Sequence, residues 1–82
     1  MSLKEFTKEI FTRYGFTEND IKVYLCYLRT PRATISEAHL SLEEGTMEYD
    51  EAVKITEMLV EKGFLIKVEG IVDRYVPFKS FN

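Results

Sequence analysis

The sequence has little cysteine, histidine, proline or glycine. Its 82 residues include one cysteine, one histidine, two prolines and four glycines. The single cysteine, Cys26, allows no intrachain disulfide, and together with the single histidine, His39, it predicts no metal site. The low proline and glycine content, beside 45% hydrophobic and 30% charged residues, is typical of a compact folded domain rather than a disordered or fibrous chain.

Long apolar runs are missing as well. No run approaches the roughly 18 residues of a membrane span, and the N-terminal sequence MSLKEFTKEI is charged where a signal peptide is apolar. We therefore expect a single cytoplasmic domain over residues 1–82 with no membrane partner. The sequence also lacks a Gly-rich phosphate loop, a nucleophile triad and a cluster of metal ligands, so it predicts neither an enzyme nor a bound cofactor.

Apolar spacing predicts two helices in the first part of the chain. The first spans residues 3–14, as an N-terminal extension, and the second begins after Thr17, whose side chain can cap it. The second helix is apolar on two faces, and one of these is a stripe made of Val23, Cys26 and Tyr27. Either the first helix covers this stripe, or the same stripe of a second subunit does, which makes its three residues candidate contacts of a homodimer.

Two further helices follow the break at Pro31. A short helix is predicted at residues 37–43 with Ser36 as its cap, and a longer one at residues 48–62, which we call the fourth predicted helix. The fourth predicted helix is expected to show acids on one face and to bury the other face, which consists of Tyr49, Ala52, Val53, Thr56, Leu59 and Val60.

The end of the chain has the composition of a β-hairpin. Residues 64–78 are rich in β-branched and aromatic residues, and Gly70 interrupts them. A short β-prone segment at residues 33–35 would complete a three-stranded sheet if it paired with this hairpin. The sequence therefore predicts a mainly α fold with a small β-sheet, of the winged helix-turn-helix class, with the helix-turn-helix at about residues 36–62 and the wing at 64–78.

Four sequence segments carry a resemblance to a known family. The segments GFTENDIKVYLCYL, ATISEAHL, LVEKGFLIKVEG and DRYVPF resemble the N-terminal winged-helix domain of the TrmB-like archaeal transcription regulators, over about residues 13–78. The resemblance implies transcription regulation by binding double-stranded DNA as a dimer. The fourth predicted helix would enter the major groove, and the hairpin would lie beside phosphates as a wing.

The residues expected to contact DNA fall into two groups. Arg32, Lys67 and Arg74, together with Arg29 and Lys79, would form a basic edge on the phosphates. Thr46, Tyr49 and Lys54 are the candidates for the groove. For these three residues, a structural alternative is a helix cap, an aromatic at the edge of the core and a solvated charge. For Lys67 and Arg74, the alternative is that they are edge charges that oppose aggregation.

The distribution of charge favours a different partner. The net charge is −3, and residues 33–61 contain one basic residue against eight acidic ones. An acidic fourth predicted helix repels phosphates, and the structural alternative is that its acids serve solely as a solubilising face. The alternative function is therefore a winged helix that binds a basic protein through acids of the fourth predicted helix, with Glu51, Glu57 and Glu61 as candidate contacts.

Overall fold

The computed structural model describes Glu9 and residues 11–78, and it is mainly α-helical with a two-stranded antiparallel sheet. Its named elements are α1 at Glu18–Arg29, α2 at Ile35–Leu40, α3 at Tyr49–Glu61, β1 at Leu65–Val68 and β2 at Arg74–Pro77. The backbone is also helical at Glu9 and at residues 11–13, within the predicted first helix; its predicted last residue, Tyr14, lies in a turn, and residues 3–8 and 10 lie outside the described residues. No helix in the described part of the chain is long and apolar enough to cross a membrane.

Helix α1 begins with the cap that the sequence predicts. The Thr17 hydroxyl oxygen accepts a hydrogen bond from the Asp20 backbone N–H at 3.2 Å, and the Asp20 carboxylate accepts one from the Thr17 N–H at 2.9 Å. This capping box satisfies two amide groups that the helix cannot pair internally. The helix ends at Arg29, because Pro31 disfavours helical geometry at Thr30.

Helix α2 begins two residues earlier than predicted, and its cap is Thr34 rather than Ser36. The Thr34 hydroxyl oxygen accepts from the Glu37 N–H at 3.1 Å, and the Glu37 carboxylate accepts from the Thr34 N–H at 2.8 Å. Thr34 caps the helix in preference to Ser36 because Glu37, three residues after Thr34, can accept a hydrogen bond from the Thr34 N–H and complete a capping box. The helix also ends earlier than predicted, at Leu40.

Helix α3 confirms the fourth predicted helix, but its buried face is different. The buried residues are Ala52, Ile55, Thr56 and Leu59, so Ile55 was missed. Tyr49 was predicted to be buried but is 44% exposed. After the helix, Gly63 has a φ of 86°, the left-handed conformation that glycine adopts without strain, and the Phe64 N–H donates to the Leu59 carbonyl at 2.9 Å.

The hairpin has the predicted antiparallel pairing, but the third strand is reduced to one bridge. Strands β1 and β2 pair in register from Leu65 with Pro77 to Val68 with Arg74. On the other side of β2, Ala33 forms a single bridge with Tyr75, whose N–H donates to the Ala33 carbonyl at 3.0 Å. The pairing stops there because Thr34 already caps α2.

Tyr27 occupies the centre of the core. It is 0% exposed, its hydroxyl is 3.0 Å from the Thr56 hydroxyl of α3, and its ring lies 5.7 Å from the Tyr75 ring of β2. Burial raises the pKa of Tyr27 to about 12. Val23 and Cys26 are each 1% exposed. All three side chains of the stripe are therefore buried within one chain, and none of them is exposed for contact with a second subunit.

Four aromatic rings pack the other face of α1. Phe11 lies 4.8 Å from Tyr24 of α1 and 5.1 Å from both Phe16 and Phe64, measured between ring centroids. All of these contacts are edge-to-face, the geometry that aromatic quadrupoles favour. The cluster joins Phe11 and Phe16, which precede α1, to Phe64, which lies between α3 and β1.

Replacing Tyr27 with Phe removes the buried hydroxyl and leaves the Thr56 hydroxyl without its partner. We expect a loss of about 1–2 kcal/mol in the free energy of unfolding, measured as a lower urea midpoint with an unchanged slope. Tyr24→Phe is the matched control, because the Tyr24 hydroxyl makes no hydrogen bond among the described residues. Equal stability losses in the two variants would show that the Tyr27–Thr56 pair contributes nothing specific.

Candidate functional site

The solvent-facing side of α3 is acidic. Its four exposed carboxylates belong to Asp50, Glu51, Glu57 and Glu61, and we call these residues the acidic face. Lys54 is the one exposed cation on the helix, and it makes no ion pair in the described part of the chain. The Glu51 carboxylate accepts a hydrogen bond of 2.8 Å from the Asn19 side chain of α1, which anchors one end of the face.

Two apolar side chains are exposed near the start of α3. Tyr49 is 44% exposed, and its ring packs edge-on against His39 of α2, with centroids 5.7 Å apart. His39 is held by a hydrogen bond of 3.0 Å between its Nε2 and the Met47 carbonyl oxygen. The next residue, Leu40, is 80% exposed. An aromatic ring with one packed edge and one open face is typical of an anchor residue in a protein interface.

The hairpin cations predicted to hold phosphates are paired with carboxylates. Lys67 Nζ lies 3.4 Å from Asp73, and the same contact raises the pKa of Lys67. Arg74 lies 3.5 Å from Glu37 and also donates a hydrogen bond of 3.0 Å to the Arg32 carbonyl oxygen. Both pairs are exposed, so they hold the side chains weakly, but they cancel most of the local positive charge.

Arg32 joins the loop after α1 to the hairpin. Its φ is 67°, a left-handed conformation that is uncommon outside glycine, and its N–H donates to the Tyr75 carbonyl at 3.0 Å. The carbonyl oxygen of Arg32 accepts the hydrogen bond from Arg74. The backbone of Arg32 is thus hydrogen-bonded through both its N–H and its carbonyl oxygen, and its side chain is exposed beside the start of β2.

Thr46 is not the cap of α3. The residue at the N-cap of α3 is Glu48, and the Thr46 hydroxyl instead donates to the Glu43 carbonyl at 2.6 Å. Thr46 lines a groove of about 620 Å³ between α1 and the loop at residues 41–46, which we call the α1 groove. Lys22 and Arg29 lie in the wall of the same groove.

The structure thus divides the predicted residues among three places. Tyr49 and Lys54 share α3 with Glu51, Glu57 and Glu61, while Arg32, Lys67 and Arg74 surround the hairpin. Thr46 lies in the α1 groove. Of the predicted basic edge, Arg29 lines the α1 groove with Thr46, while Lys79 lies outside the described residues.

Sequence reasoning missed Glu37 and Asp73, the carboxylates that pair with the hairpin cations. A signal for Glu37 was present, because a threonine followed three residues later by a glutamate is a capping-box pattern. No signal in the sequence placed Glu37 beside Arg74, since their contact depends on the bridge between Ala33 and Tyr75.

Within the described ranges, no three His, Cys, Asp or Glu side chains lie close enough to hold a metal ion. Comparisons of the chain with models of protein families, with curated proteins and with solved structures found no match. We therefore infer the function from the charges and exposed side chains on the surface of this chain.

The Glu37 carboxyl offers a direct test of the local geometry. Its pKa is lowered, first by the hydrogen bond from the Thr34 backbone and then by the Thr34 hydroxyl contact and the Arg74 charge. A lowered pKa contributes stability that is present above the ordinary pKa of glutamate and is lost as pH falls through the folded-state value. We expect NMR titration to show this lowered pKa in the wild type.

The two causes can be separated by substitution. Arg74→Ala should raise the pKa of Glu37 only slightly, whereas Thr34→Pro, which suits the φ of −80° at this position and removes both the N–H and the hydroxyl that contact the carboxylate, should raise it more. The reverse order would mean that the charge of Arg74, and not the cap, holds this carboxylate.

Proposed function

We propose that the domain is a winged helix-turn-helix that binds a basic segment of a partner protein through the acidic face of α3. The observation that carries the proposal is the composition of the exposed side of α3, where four carboxylates outnumber a single lysine. In the winged-helix arrangement, this is the side of the helix that faces a ligand.

The order and pairing of the elements support the winged-helix assignment. A short helix, a turn and a longer helix are followed by a hairpin, and the hairpin pairs through Tyr75 with the residue that precedes the short helix. This pairing ties the start of the helix-turn-helix to β2. The resemblance to TrmB-like regulators gives the same arrangement.

Electrostatics favours a protein partner over duplex DNA at this face. Two unit charges 4 Å apart interact with an energy of about 1 kcal/mol in water, and between a carboxylate and a phosphate this interaction is repulsive. Sequence-independent DNA affinity comes from cations on phosphates, and the acidic face has one cation, Lys54. Lysine and arginine side chains of a protein would instead meet carboxylates of opposite charge.

The exposed apolar residues provide the other part of an interface. Tyr49 begins α3 and packs on His39 of α2, and the residue after His39, Leu40, is 80% exposed. Burial of apolar surface contributes about 25 cal/mol per Å², so these side chains supply affinity that exposed ion pairs alone do not. An aromatic anchor with a charged rim is a common composition of protein interfaces.

The proposal is tested by reversing the charge of the acidic face. A Glu51→Lys/Glu57→Lys/Glu61→Lys variant should lose the basic proteins that the wild type captures from an extract of the source cells, as identified by mass spectrometry. The matched control, Glu43→Lys/Glu44→Lys/Glu69→Lys, makes the same change in net charge away from α3 and should retain them. Capture of the same proteins by both variants would rule out the acidic face as the interface.

Duplex DNA remains a second candidate, and one observation favours it. The Arg74 side chain donates a hydrogen bond to the Arg32 carbonyl oxygen, and Lys67 lies one register position away in β1, so three cations lie near the turn end of the hairpin. If these cations contact phosphates, the fluorescence anisotropy of a labelled duplex should show binding at low salt that weakens as salt rises, by about one unit of slope per contact.

A Lys67→Ala/Arg74→Ala variant should then bind the duplex several-fold more weakly than the wild type. Lys22→Ala/Lys62→Ala removes equal charge at exposed residues outside the predicted basic edge and should leave the affinity close to the wild-type value. Failure to detect any binding at low salt, with protein well above the micromolar affinities typical of non-specific binding, would eliminate this candidate.

A further inference from the structure

We propose that the α1 groove is a docking site for an acidic amphipathic helix of a partner protein. Two carboxylates of that helix, seven residues apart, would contact Lys22 and Arg29, and apolar residues between them would cover Leu25 and Leu28. This site differs from the acidic face of α3 in position and in charge, and it does not rest on the function proposed above.

The groove has the size and the apolar floor that a side-chain cluster needs. Its volume of about 620 Å³ lies within the usual range of binding clefts. Leu25 and Leu42 form its floor and are half-buried against the core, while Leu28 remains exposed at the rim. A floor supported by the core keeps its shape when a ligand is absent.

The cations of the groove are available to a ligand. Lys22 and Arg29 are seven residues apart on α1, which corresponds to about 10.5 Å along the helix axis and to the same side of the helix. Neither makes an ion pair with any described residue, although Arg29 approaches the Cys26 sulfur at 4.0 Å. With Glu43 on the opposite wall, the lining has a net charge of +1 in a chain whose net charge is −3.

The polar residues of the opposite wall are occupied by their own backbone. The Ser41 hydroxyl donates to the Ala38 carbonyl at 2.8 Å, and the Thr46 hydroxyl donates to the Glu43 carbonyl at 2.6 Å. Their hydroxyl protons are thus engaged within the loop. The pattern along α1 is therefore a cation, two leucines and a cation, beside a wall whose polar donors are already used.

An acidic amphipathic helix complements that pattern. A helix with acids at positions i and i+7 and leucines at i+3 and i+4 repeats the same 10.5 Å spacing with opposite charge. A second copy of this chain fits less well. Its Asp50 and Glu57 have the right spacing, but Lys54 lies between them on the same side of α3 and would place a third cation over the leucines.

The test uses the whole chain and a synthetic helix. The probe is a capped alanine-based peptide of about 18 residues, long enough to be helical, with glutamates at i and i+7 and leucines at i+3 and i+4. Titration calorimetry should show one site per chain. Lys22→Glu/Arg29→Glu should weaken binding by at least about tenfold, because it turns two attractions into repulsions.

Two controls decide whether the effect is local. Lys54→Glu/Lys62→Glu makes the same change in net charge on α3 and after it, and should leave the peptide affinity close to wild type. A peptide with lysines in place of the glutamates should bind the Lys22→Glu/Arg29→Glu variant better than it binds the wild type. This rescue also shows that the variant is folded.

Several results would overturn the proposal. One is the absence of peptide binding to the wild type, and another is equal weakening by both double variants, which would indicate a general charge effect. Self-association of the wild type that is lost in Lys22→Glu/Arg29→Glu would assign the groove to a second copy instead. The Glu51→Lys/Glu57→Lys/Glu61→Lys variant should bind the peptide as the wild type does, so this experiment can fail while the function proposed for α3 stands.

Discussion

The buried contact between Tyr27 and Thr56 determines how the rest of the domain is arranged. Tyr27 comes from α1, its hydroxyl is hydrogen-bonded to α3, and its ring packs against Tyr75 of β2. A buried hydroxyl must find a partner, so the pair fixes the rotation of α3 about its own axis. With Thr56 directed inward, the residues on the opposite side of α3 are directed to solvent, and those residues are the acidic face.

The same contact positions the hairpin, and the hairpin in turn holds the start of α2. Tyr75 packs on Tyr27 with its side chain and pairs with Ala33 through its backbone. Arg74, the neighbour of Tyr75, reaches both Arg32 and Glu37. Arg74 is thus paired with Glu37, and Lys67 is paired with Asp73 within the hairpin. Two of the three cations predicted to contact phosphates therefore already have a carboxylate partner. This geometry supports our proposal that the partner is a basic protein rather than duplex DNA.

Much of the fold could be predicted from local patterns. The capping pair Thr17 and Asp20 predicted the start of α1, and Gly63 predicted the end of α3. The change from helical to alternating periodicity after Gly63 predicted the hairpin. These bounds agree with the structure to within a few residues. The errors arose where two local signals competed. Ser36 is a good cap in isolation, but Thr34 has Glu37 at the reciprocal position, so the strand expected at residues 33–35 became one bridge followed by a capped helix.

The candidate site was harder to predict, because its character depends on contacts between distant residues. The stripe of Val23, Cys26 and Tyr27 has the same appearance whether α3 and β2 cover it or a second subunit does. The acidity of α3 could be counted from the sequence, whereas the pairing of Lys67 with Asp73 and of Arg74 with Glu37 required the hairpin turn and the bridge. The seven-residue spacing of Lys22 and Arg29 can be read from the sequence. The groove beside them cannot, because it forms only where the loop at residues 41–46 packs near α1.

The central claim is that the exposed side of α3 is a surface for cationic protein segments and not for phosphates. It is tested most directly by NMR of the isotopically labelled domain, titrated in the same buffer with a lysine- and arginine-rich peptide and, separately, with a DNA duplex. The account predicts that the peptide shifts the backbone amide signals of Asp50, Glu51, Glu57 and Glu61 and that the duplex leaves them unchanged. Shifts of these four signals with the duplex, and none with the peptide, would contradict it.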